Sequence, residues 1–184
     1  MRRLYIFLIA VFLPVMLAGA ETPCQDAASS RTLIASGGTS VPLVLLERFP
    51  SWKKASLPWK DGMHGIRHRD LKTGNGAPLE PGKVLIMQVK AFLEDGTQYV
   101  DTLAERTPAR YIYKDGAMPA PFDDSLDGMK EGGRRLIIYP SSVPYDSNPD
   151  VFDRRIFVPE RTVFFEVHLM WVRDPEYARL NMFR

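Results

Sequence analysis

The chain reads Leu126-Asp-Gly-Met-Lys-Glu-Gly-Gly-Arg-Arg-Leu-Ile-Ile-Tyr-Pro140 at the point that most constrains its fold. Gly128 and the Gly132-Gly133 pair bracket three residues, and glycine permits the positive φ angles or close backbone approaches that tight turns need. Arg134 to Tyr139 then has the aliphatic and β-branched residues of a strand, and Pro140 ends it. The stretch therefore predicts a strand that is entered through glycine turns.

Strand and turn signals continue on both sides of this stretch. Glu94-Asp95-Gly96 predicts a hairpin turn, because Asp-Gly suits the positive φ values of tight turns. Pro121 to Leu126 predicts a short helix that ends at a glycine turn. Further strands are predicted over Val84 to Leu93, from Thr97 onward, over Arg110 to Tyr113 and over Arg161 to Val172. Together these elements predict an antiparallel sheet with one short helix.

The N-terminus has the features of a secretory signal. Arg2-Arg3 precedes an apolar run from Leu4 to Leu17, and Ala18-Gly19-Ala20 supplies the small residues that a signal peptidase requires. We predict that residues 1–20 are cleaved before Glu21 and that the protein is exported, to a periplasm or out of the cell, with no stable membrane span after cleavage. A permanent anchor is the alternative, although the run is shorter than the roughly 20 apolar residues of a span.

The charge balance argues against one class of function, and the cysteine count excludes an internal disulfide. The chain has 24 Lys and Arg against 22 Asp and Glu, and loss of Arg2 and Arg3 would leave 22 against 22. A neutral mature chain argues against nucleic-acid binding, which requires a clustered basic face. Cys24 is the single cysteine, so it cannot form an internal disulfide.

Residues 21–63 are predicted to be an extension that precedes the main domain. Pro42 to Phe49 contains an apolar cluster that must be buried. Trp52, Leu57 and Trp59 follow it, separated by lysines and Pro58. One interpretation is a short helix or strand packed on the main domain. The other is a contact segment for clients or for a second copy, with self-association through residues 41–60. The predicted layout is a signal over 1–20, an extension over 21–63, a main domain over 64–173 and a tail over 174–184.

Four segments in sequence order resemble the FKBP-type peptidyl-prolyl isomerase family. They are Asp70 to Gly76 with the following Pro81-Gly82, Phe92 to Tyr99, Leu126 to Pro140, and Thr162 to Leu169. The resemblance extends from about Arg67 to Arg173. It implies an α+β fold in which a strongly bent antiparallel sheet wraps around one short helix, with an apolar pocket between them.

The reaction implied by the resemblance is rotation about X-Pro amide bonds in client proteins. That rotation breaks amide resonance, and its barrier of about 18 to 20 kcal/mol makes it slow without a catalyst. An apolar pocket favours the twisted amide, so no nucleophile, metal or cofactor is needed. The implied partners are proline-containing segments of exported proteins. The alternative is a binding or chaperone module that holds proline-containing or unfolded segments without catalysis.

The resemblance also implies the site residues. Three positions are candidate catalytic residues: Tyr99, at the place of the family's pocket phenylalanine, Asp101, and Tyr145. The candidate pocket residues are Val89, Met118, Pro119, Phe122, Ile156, Phe157 and Phe165.

Several of these positions depart from the family pattern. Pro119 lies where the family has a backbone N–H that binds the substrate carbonyl, and proline has no N–H. Val89 replaces a tyrosine, and Val100 replaces the acidic residue that follows the pocket aromatic. Asp101 comes one place later, so a one-residue bulge could return it to the pocket, whereas a slip in the strand would turn it to the opposite face.

Other chemistries have little support in the sequence. His64 and His68 are four residues apart, but Gly65 and the strand-like context argue against the helix that would pair them at a metal. His168 alternates with apolar neighbours and is predicted to face outward. The motifs of serine hydrolases, zinc proteases and phosphate-binding loops are missing.

Overall fold

The computed structural model describes residues 40–143, 156–158 and 160–176. They form a seven-stranded sheet in which every strand pair is antiparallel. Its strands are β1 (Lys60–Asp61), β2 (Arg67–Lys72), β3 (Val84–Leu93), β4 (Gln98–Asp101), β5 (Ala109–Ile112), β6 (Arg134–Tyr139) and β7 (Val163–Arg173). The strand order is β1-β2-β6-β7-β3-β4, and β5 pairs with the first half of β3.

Three α-helices and one short 3₁₀ turn complete the described elements. They are α1 (Leu43–Arg48), α2 (Pro50–Lys54), the 3₁₀ turn (Met63–Gly65) and α3 (Ala120–Leu126). The predicted α+β class is confirmed, and β3, β6 and α3 lie where the sequence predicts them. Within the described part of the main domain, α3 is the one α-helix, as predicted, and α1 and α2 lie in the extension, for which the sequence left a helix or a strand open. None of the helices in the described ranges is long and apolar enough to cross a membrane.

Both faces of the sheet are covered, and each has its own apolar core. On β6, Ile137 and Tyr139 face α3 and join a cluster with Phe122. Leu136 and Ile138 face the opposite way and join a cluster with α1 and α2. A strand that is buried on both faces has apolar residues at consecutive positions, which explains the unbroken run in β6. We call the side that packs on α3 the inner face and the other side the outer face.

Prolines define the start of α3. The carbonyl of Pro119 accepts hydrogen bonds from the N–H groups of Phe122 at 2.9 Å and Asp123 at 3.1 Å. Pro121 is in the first turn, where a missing N–H costs nothing. The helix stops two residues before Gly128, which has a φ of +73°. The sequence thus delimits a helix of seven residues.

A buried arginine ties the end of α3 to the sheet. Arg135 is 1% exposed. Its Nη1 donates to the carbonyls of Ser125 at 2.7 Å and Asp127 at 2.8 Å, and its Nε donates to Asp70 Oδ1 at 2.7 Å. The last carbonyls of a helix have no partner within the helix. Arg135 therefore satisfies these carbonyls and fixes the position of α3 relative to β2 and β6.

The glycines that precede β6 adopt the predicted turns. Gly132 has a φ of +84°, a region that side chains avoid. A Cβ added to Gly133 would lie 2.9 Å from the carbonyl oxygen of Lys130, and one added to Gly74 would lie 2.2 Å from the same oxygen. Two glycines from distant segments thus let the backbones of the β2–β3 loop and the α3–β6 loop meet.

The extension packs on the outer face of the sheet. The indole Nε1 of Trp52 donates to Glu166 Oε2 on β7 at 2.6 Å, and Arg48 Nη1 donates to the carbonyl of Gly96 at 2.9 Å. The buried apolar residues of this outer cluster are Val41, Leu45, Trp52, Phe92, Leu136, Ile138 and Phe164. Pro42 to Phe49 thus contributes a helix that packs on the sheet. Self-association through residues 41–60 stays a prediction.

Candidate functional site

Four aromatic rings meet on the inner face of the sheet. The centroid of Phe122 on α3 lies 5.4 Å from that of Phe157 and 5.3 Å from that of Phe165 on β7. Phe157 and Phe165 are 5.4 Å apart, and Tyr139 on β6 lies 5.0 Å from Phe157. These are edge-on or tilted contacts, which aromatic pairs prefer. We call these four residues the aromatic cluster.

The surroundings of the aromatic cluster are apolar and largely buried from solvent. Phe122 and Phe165 are 0% exposed, and the predicted pocket residues Val89 and Met118 belong to the same inner core. Tyr139 and Phe157 also line a surface cleft, together with Pro140, Val143, Val158 and Val163 and the polar residues Ser141, Glu160 and Arg161. Two of the four rings of the aromatic cluster therefore lie at this cleft.

Tyr99 bridges β4 to the segment that precedes β7. In the register of β3 and β4, Ala91 is opposite Val100 and Phe92 is opposite Gln98, so Tyr99 is the extra residue of a β-bulge. Its side chain packs against the inner core, and its hydroxyl donates to the carbonyl of Ile156 at 2.7 Å. Burial raises the pKa of Tyr99, so this hydroxyl stays protonated and remains a donor.

The bulge sends Asp101 to the outer face, away from the aromatic cluster. Because the extra residue comes before Val100, that valine enters the inner core and Asp101 lies opposite Lys90. The bulge that could have returned Asp101 to the pocket is therefore one position too early. Of the two orientations that the sequence left open for the candidate catalytic residue Asp101, the structure has the one on the outer face.

Asp101 instead organises the turn that follows β4. Its carboxylate accepts hydrogen bonds from Gln98 Nε2 at 2.8 Å and from the N–H groups of Leu103 and Ala104 at 3.1 Å each, and Lys90 Nζ lies 3.8 Å away. Burial alone would raise the pKa of Asp101, but these hydrogen bonds and the lysine charge outweigh it and lower the pKa. This is the environment of a turn-capping carboxylate.

Pro119 lies at the N-terminal boundary of α3, next to the aromatic cluster. It is the residue directly before the helix, with φ −55° and ψ 130°. Its carbonyl accepts hydrogen bonds from N–H groups of α3, and it has no N–H of its own. The donor that the resemblance implies at this position is therefore missing in this chain.

Asp123, the residue after Phe122, forms a buried hydrogen-bonded pair with Tyr111. Neither residue is among the candidates predicted from the sequence. The hydroxyl of Tyr111 on β5 donates to Asp123 Oδ1 at 2.8 Å, and the hydroxyl of Tyr113 donates to the carbonyl of Asp123 at 3.0 Å. Burial, above all other causes, raises the pKa of Asp123 to about 6. An acidic residue in the first turn of a helix is ordinarily solvated, so only the alternation of Tyr111 on β5 with Tyr113 just after it hinted at this pair.

The remaining site predictions are placed as follows. Ile156 and Phe157 are both buried against the inner core. Tyr145 lies outside the described residues, as do the signal over 1–20, residues 21–39 with Cys24, and 177–184.

The two histidines considered for a metal lie on different elements. His64 is exposed in the 3₁₀ turn, with a φ of 56°, whereas His68 is buried on β2. Burial is the largest of the causes that lower the pKa of His68 to about 4. Across the described ranges, no group of three or more His, Cys, Asp or Glu side chains is arranged to hold a metal ion.

This antiparallel sheet, with an apolar aromatic cluster between its inner face and α3, agrees with the sequence comparison. The family model for FKBP-type peptidyl-prolyl cis-trans isomerases matches residues 76–170, just over half of the chain. The chain therefore belongs to this family, whose members are peptidyl-prolyl isomerases.

Individual relatives agree with this assignment. An FK506-binding protein of Neisseria meningitidis serogroup B is 31% identical over 112 residues, which are 61% of this chain and 100% of the relative. A chloroplastic peptidyl-prolyl cis-trans isomerase of Arabidopsis thaliana, FKBP20-2, is 24% identical over 175 residues, which are 90% of this chain and 71% of the relative.

Solved structures share the fold. The crystal structure of FkpA from Escherichia coli matches with a TM-score of 0.50 and 20% identity, over 69% of this chain and 57% of that one. The crystal structure of AtFKBP13 matches with a TM-score of 0.51 and 16% identity, over 62% of this chain and 98% of that one.

Proposed function

We propose that this protein accelerates cis–trans isomerisation of X-Pro bonds in exported proteins, and that the proline ring packs on the aromatic cluster. The family supplies the class of reaction. The location is supported by the contacts among Phe122, Phe157 and Phe165, which lie within 5.3 to 5.4 Å of one another. This three-ring contact is the observation that carries the proposal.

The chemistry fits an apolar site. Rotation about the X-Pro bond breaks amide resonance, so the carbonyl is less polar in the twisted state than in the planar states. A dry aromatic wall favours the twisted state over the planar one, and each 1.36 kcal/mol of such preference is about tenfold in rate. The described side chains around the cluster need only exclude water and hold the proline ring.

The hydroxyl of Tyr99 contributes indirectly. It donates to the carbonyl of Ile156, the residue before Phe157, and so helps to hold that part of the aromatic cluster against β4. Tyr99 is therefore a positioning residue in this proposal. Tyr145 remains a candidate for direct contact with the substrate.

A specific observation favours a second candidate function. Val89 and Val100 are apolar, Asp101 faces outward and Pro119 has no N–H, so the polar groups expected around the substrate carbonyl are reduced. A site with an apolar wall and few donors binds proline-containing or unfolded segments even where it is a weak catalyst. The second candidate is thus a binding or chaperone module on the same site.

One pair of assays distinguishes the two functions. The purified protein is added to a proline tetrapeptide, and the rate of cis-to-trans conversion is measured with and without a macrolide that fills the pocket. We expect acceleration that the macrolide abolishes. Suppressed aggregation of an unfolded client, together with no acceleration above the uncatalysed rate, would replace the isomerase proposal with the binding module.

Export is part of the proposal and rests on residues 1–20. The sequence there has the order of a basic pair, an apolar run and small residues. The intact mass of the protein recovered from a periplasmic extract should correspond to a chain that begins at Glu21. Recovery of the uncleaved chain from the membrane fraction would favour the anchor.

A further inference from the structure

Positive charge is concentrated at the edge of the sheet that α2, β1 and β2 form. From Trp52 to Lys72 the chain has six Lys and Arg and two Asp. Asp61 pairs with Arg67 at 2.7 Å, and Asp70 pairs with Arg135 at 2.7 Å. The excess is therefore positive. We call the cations on α2, β1 and the outer face of β2 the basic edge: Lys53, Lys54, Lys60, Arg67 and Arg69.

Stacking and hydrogen bonding hold the arginines of the basic edge in place. The guanidinium carbons of Arg67 and Arg69 lie 5.4 Å and 4.7 Å from the ring centroid of Trp59. Arg69 also donates to the carbonyl of Trp52, which is bonded to the nitrogen of Lys53. This hydrogen bond brings the end of α2 next to β2, so the cations share one surface.

The lysines of the basic edge are exposed. Lys53 and Lys54 are the last residues of α2, and Lys60 is the first residue of β1. Within the part of the chain that the structure describes, these three ammonium groups have no carboxylate partner. They are available to an external anion.

Exposed aliphatic side chains accompany these charges. Leu57 is 41% exposed just before β1, and Met63 is 53% exposed in the turn after it. Trp59, between them, is partly buried. Lysines, an aromatic ring and exposed aliphatic residues together are typical of surfaces that lie at a membrane interface. A free phosphate or a nucleic acid would use the cations and leave the aliphatic residues without a role.

We propose that the basic edge, with Leu57 and Met63, binds the surface of a bilayer that contains anionic phospholipid. The three lysines would contact the phosphodiester groups, and the two aliphatic side chains would enter the boundary of the acyl chains. None of these residues belongs to the aromatic cluster. The inference is therefore independent of the proposed isomerase function.

Vesicle binding of the full-length protein tests the proposal. The protein is sedimented with phosphatidylcholine vesicles and with vesicles that contain about 30 mol % phosphatidylglycerol, at rising chloride concentration. The apolar run from Leu4 to Leu17 would bind both kinds of vesicle, so the difference between them reports the charge-dependent contribution. We expect stronger binding to the anionic vesicles, with a difference that salt removes. No preference for anionic vesicles would overturn the proposal.

Matched double variants locate the binding surface. K54Q/K60Q should lower partitioning onto the anionic vesicles about 25-fold, because each lysine near such a surface contributes about fivefold. K83Q/K130Q removes the same charge elsewhere and should change partitioning less than twofold. Equal losses in the two doubles would show that net charge, and not the basic edge, governs binding, and would overturn the proposal.

Two further arms separate the lipid surface from other anions. L57S/M63S should weaken binding to anionic vesicles and leave its salt dependence unchanged. Inorganic phosphate should release the protein from the vesicles no better than chloride does at equal ionic strength. Release by phosphate alone, or an unchanged affinity of L57S/M63S, would assign the basic edge to a soluble anion and contradict the bilayer.

Discussion

Arg135 illustrates how one residue can determine the position of a functional helix. Its guanidinium satisfies two carbonyls at the end of α3 and one carboxylate on β2 while 1% exposed. A buried cation with several charge-assisted hydrogen bonds is costly to remove, because its partners lose their only compensation for burial.

We predict that Arg135→Met lowers the free energy of unfolding by about 3 to 5 kcal/mol, because it leaves Asp70 and the end of α3 unpartnered. Urea denaturation measures the loss. Arg161→Met is the control, since that arginine is 43% exposed in its side chain and its pair with Asp95 is long, at 3.9 Å. A surface pair of this kind contributes at most about 1 kcal/mol. Similar losses in the two variants would contradict the helix-fixing role.

Titration of Asp123 makes the free energy of unfolding depend on pH. Burial raises its pKa in the folded chain to about 6, from an ordinary value of 3.8. The folded state therefore binds the proton more tightly than the unfolded state. The contribution of this group to stability is complete below pH 3.8 and declines as the pH rises toward 6.

We predict that Asp123→Asn removes this decline. The difference in unfolding free energy between wild type and variant should shift by up to about 3 kcal/mol in favour of the variant between pH 4 and pH 7. Urea denaturation at the two pH values measures it, and groups that titrate in both proteins cancel. A difference that is independent of pH would show that Asp123 is not held in a protonation-sensitive environment.

At the scale of elements, the two faces of the sheet have separate roles. The inner face carries the aromatic cluster, and the outer face carries α1 and α2 through the Trp52–Glu166 hydrogen bond. Glu166 follows Phe165 on β7 and is opposite Lys90 on β3, so its side chain is on the outer face while that of Phe165 is on the inner face. A change on the outer face should therefore alter stability without altering the site.

We predict that Trp52→Phe costs about 2 to 3 kcal/mol of stability, since a buried carboxylate loses a donor, and leaves the isomerase rate within twofold of wild type. Thermal or urea unfolding and the peptide assay measure the two effects. Trp171→Phe is the matched control, because Trp171 is 42% exposed and should change stability by less than about 0.5 kcal/mol. A rate loss in Trp52→Phe would show that the extension supports the site directly.

The elements also show where sequence reasoning succeeds and where it cannot. Val84–Leu93 and Arg134–Tyr139 are predictable because glycine or proline turns bound each of them. The face of Asp101 is not, since it depends on which residue of β4 forms the bulge, and that is decided by packing of Tyr99 and Val100 against the inner core. The residues near Asp101 in sequence do not indicate which residue of β4 forms the bulge.

At the scale of the whole molecule, contacts between distant segments were the hardest to predict. Trp52 and Glu166 form a hydrogen bond although they are 114 residues apart in sequence. The residues near either one do not indicate that the other is its partner. The family resemblance supplied the sheet and α3, but the extension lies outside the four segments that carry it. The candidate site was predicted largely for its apolar residues and less well for its polar ones, whose partners lie on separate elements.

We propose that the aromatic cluster on the inner face accelerates X-Pro isomerisation. Phe164 and Phe165 are adjacent on β7, 1% and 0% exposed, and face opposite sides of the sheet. Leucine at either position removes a ring from a buried core at a comparable cost in stability. Only Phe165 belongs to the aromatic cluster.

The most direct test compares kcat/KM for a proline tetrapeptide in Phe165→Leu and Phe164→Leu, below the unfolding transition of both. We expect a loss of about tenfold or more in Phe165→Leu, equivalent to about 1.4 kcal/mol of transition-state stabilisation, and a change of less than twofold in Phe164→Leu. Equal losses in the two variants, or no loss in either, would contradict it.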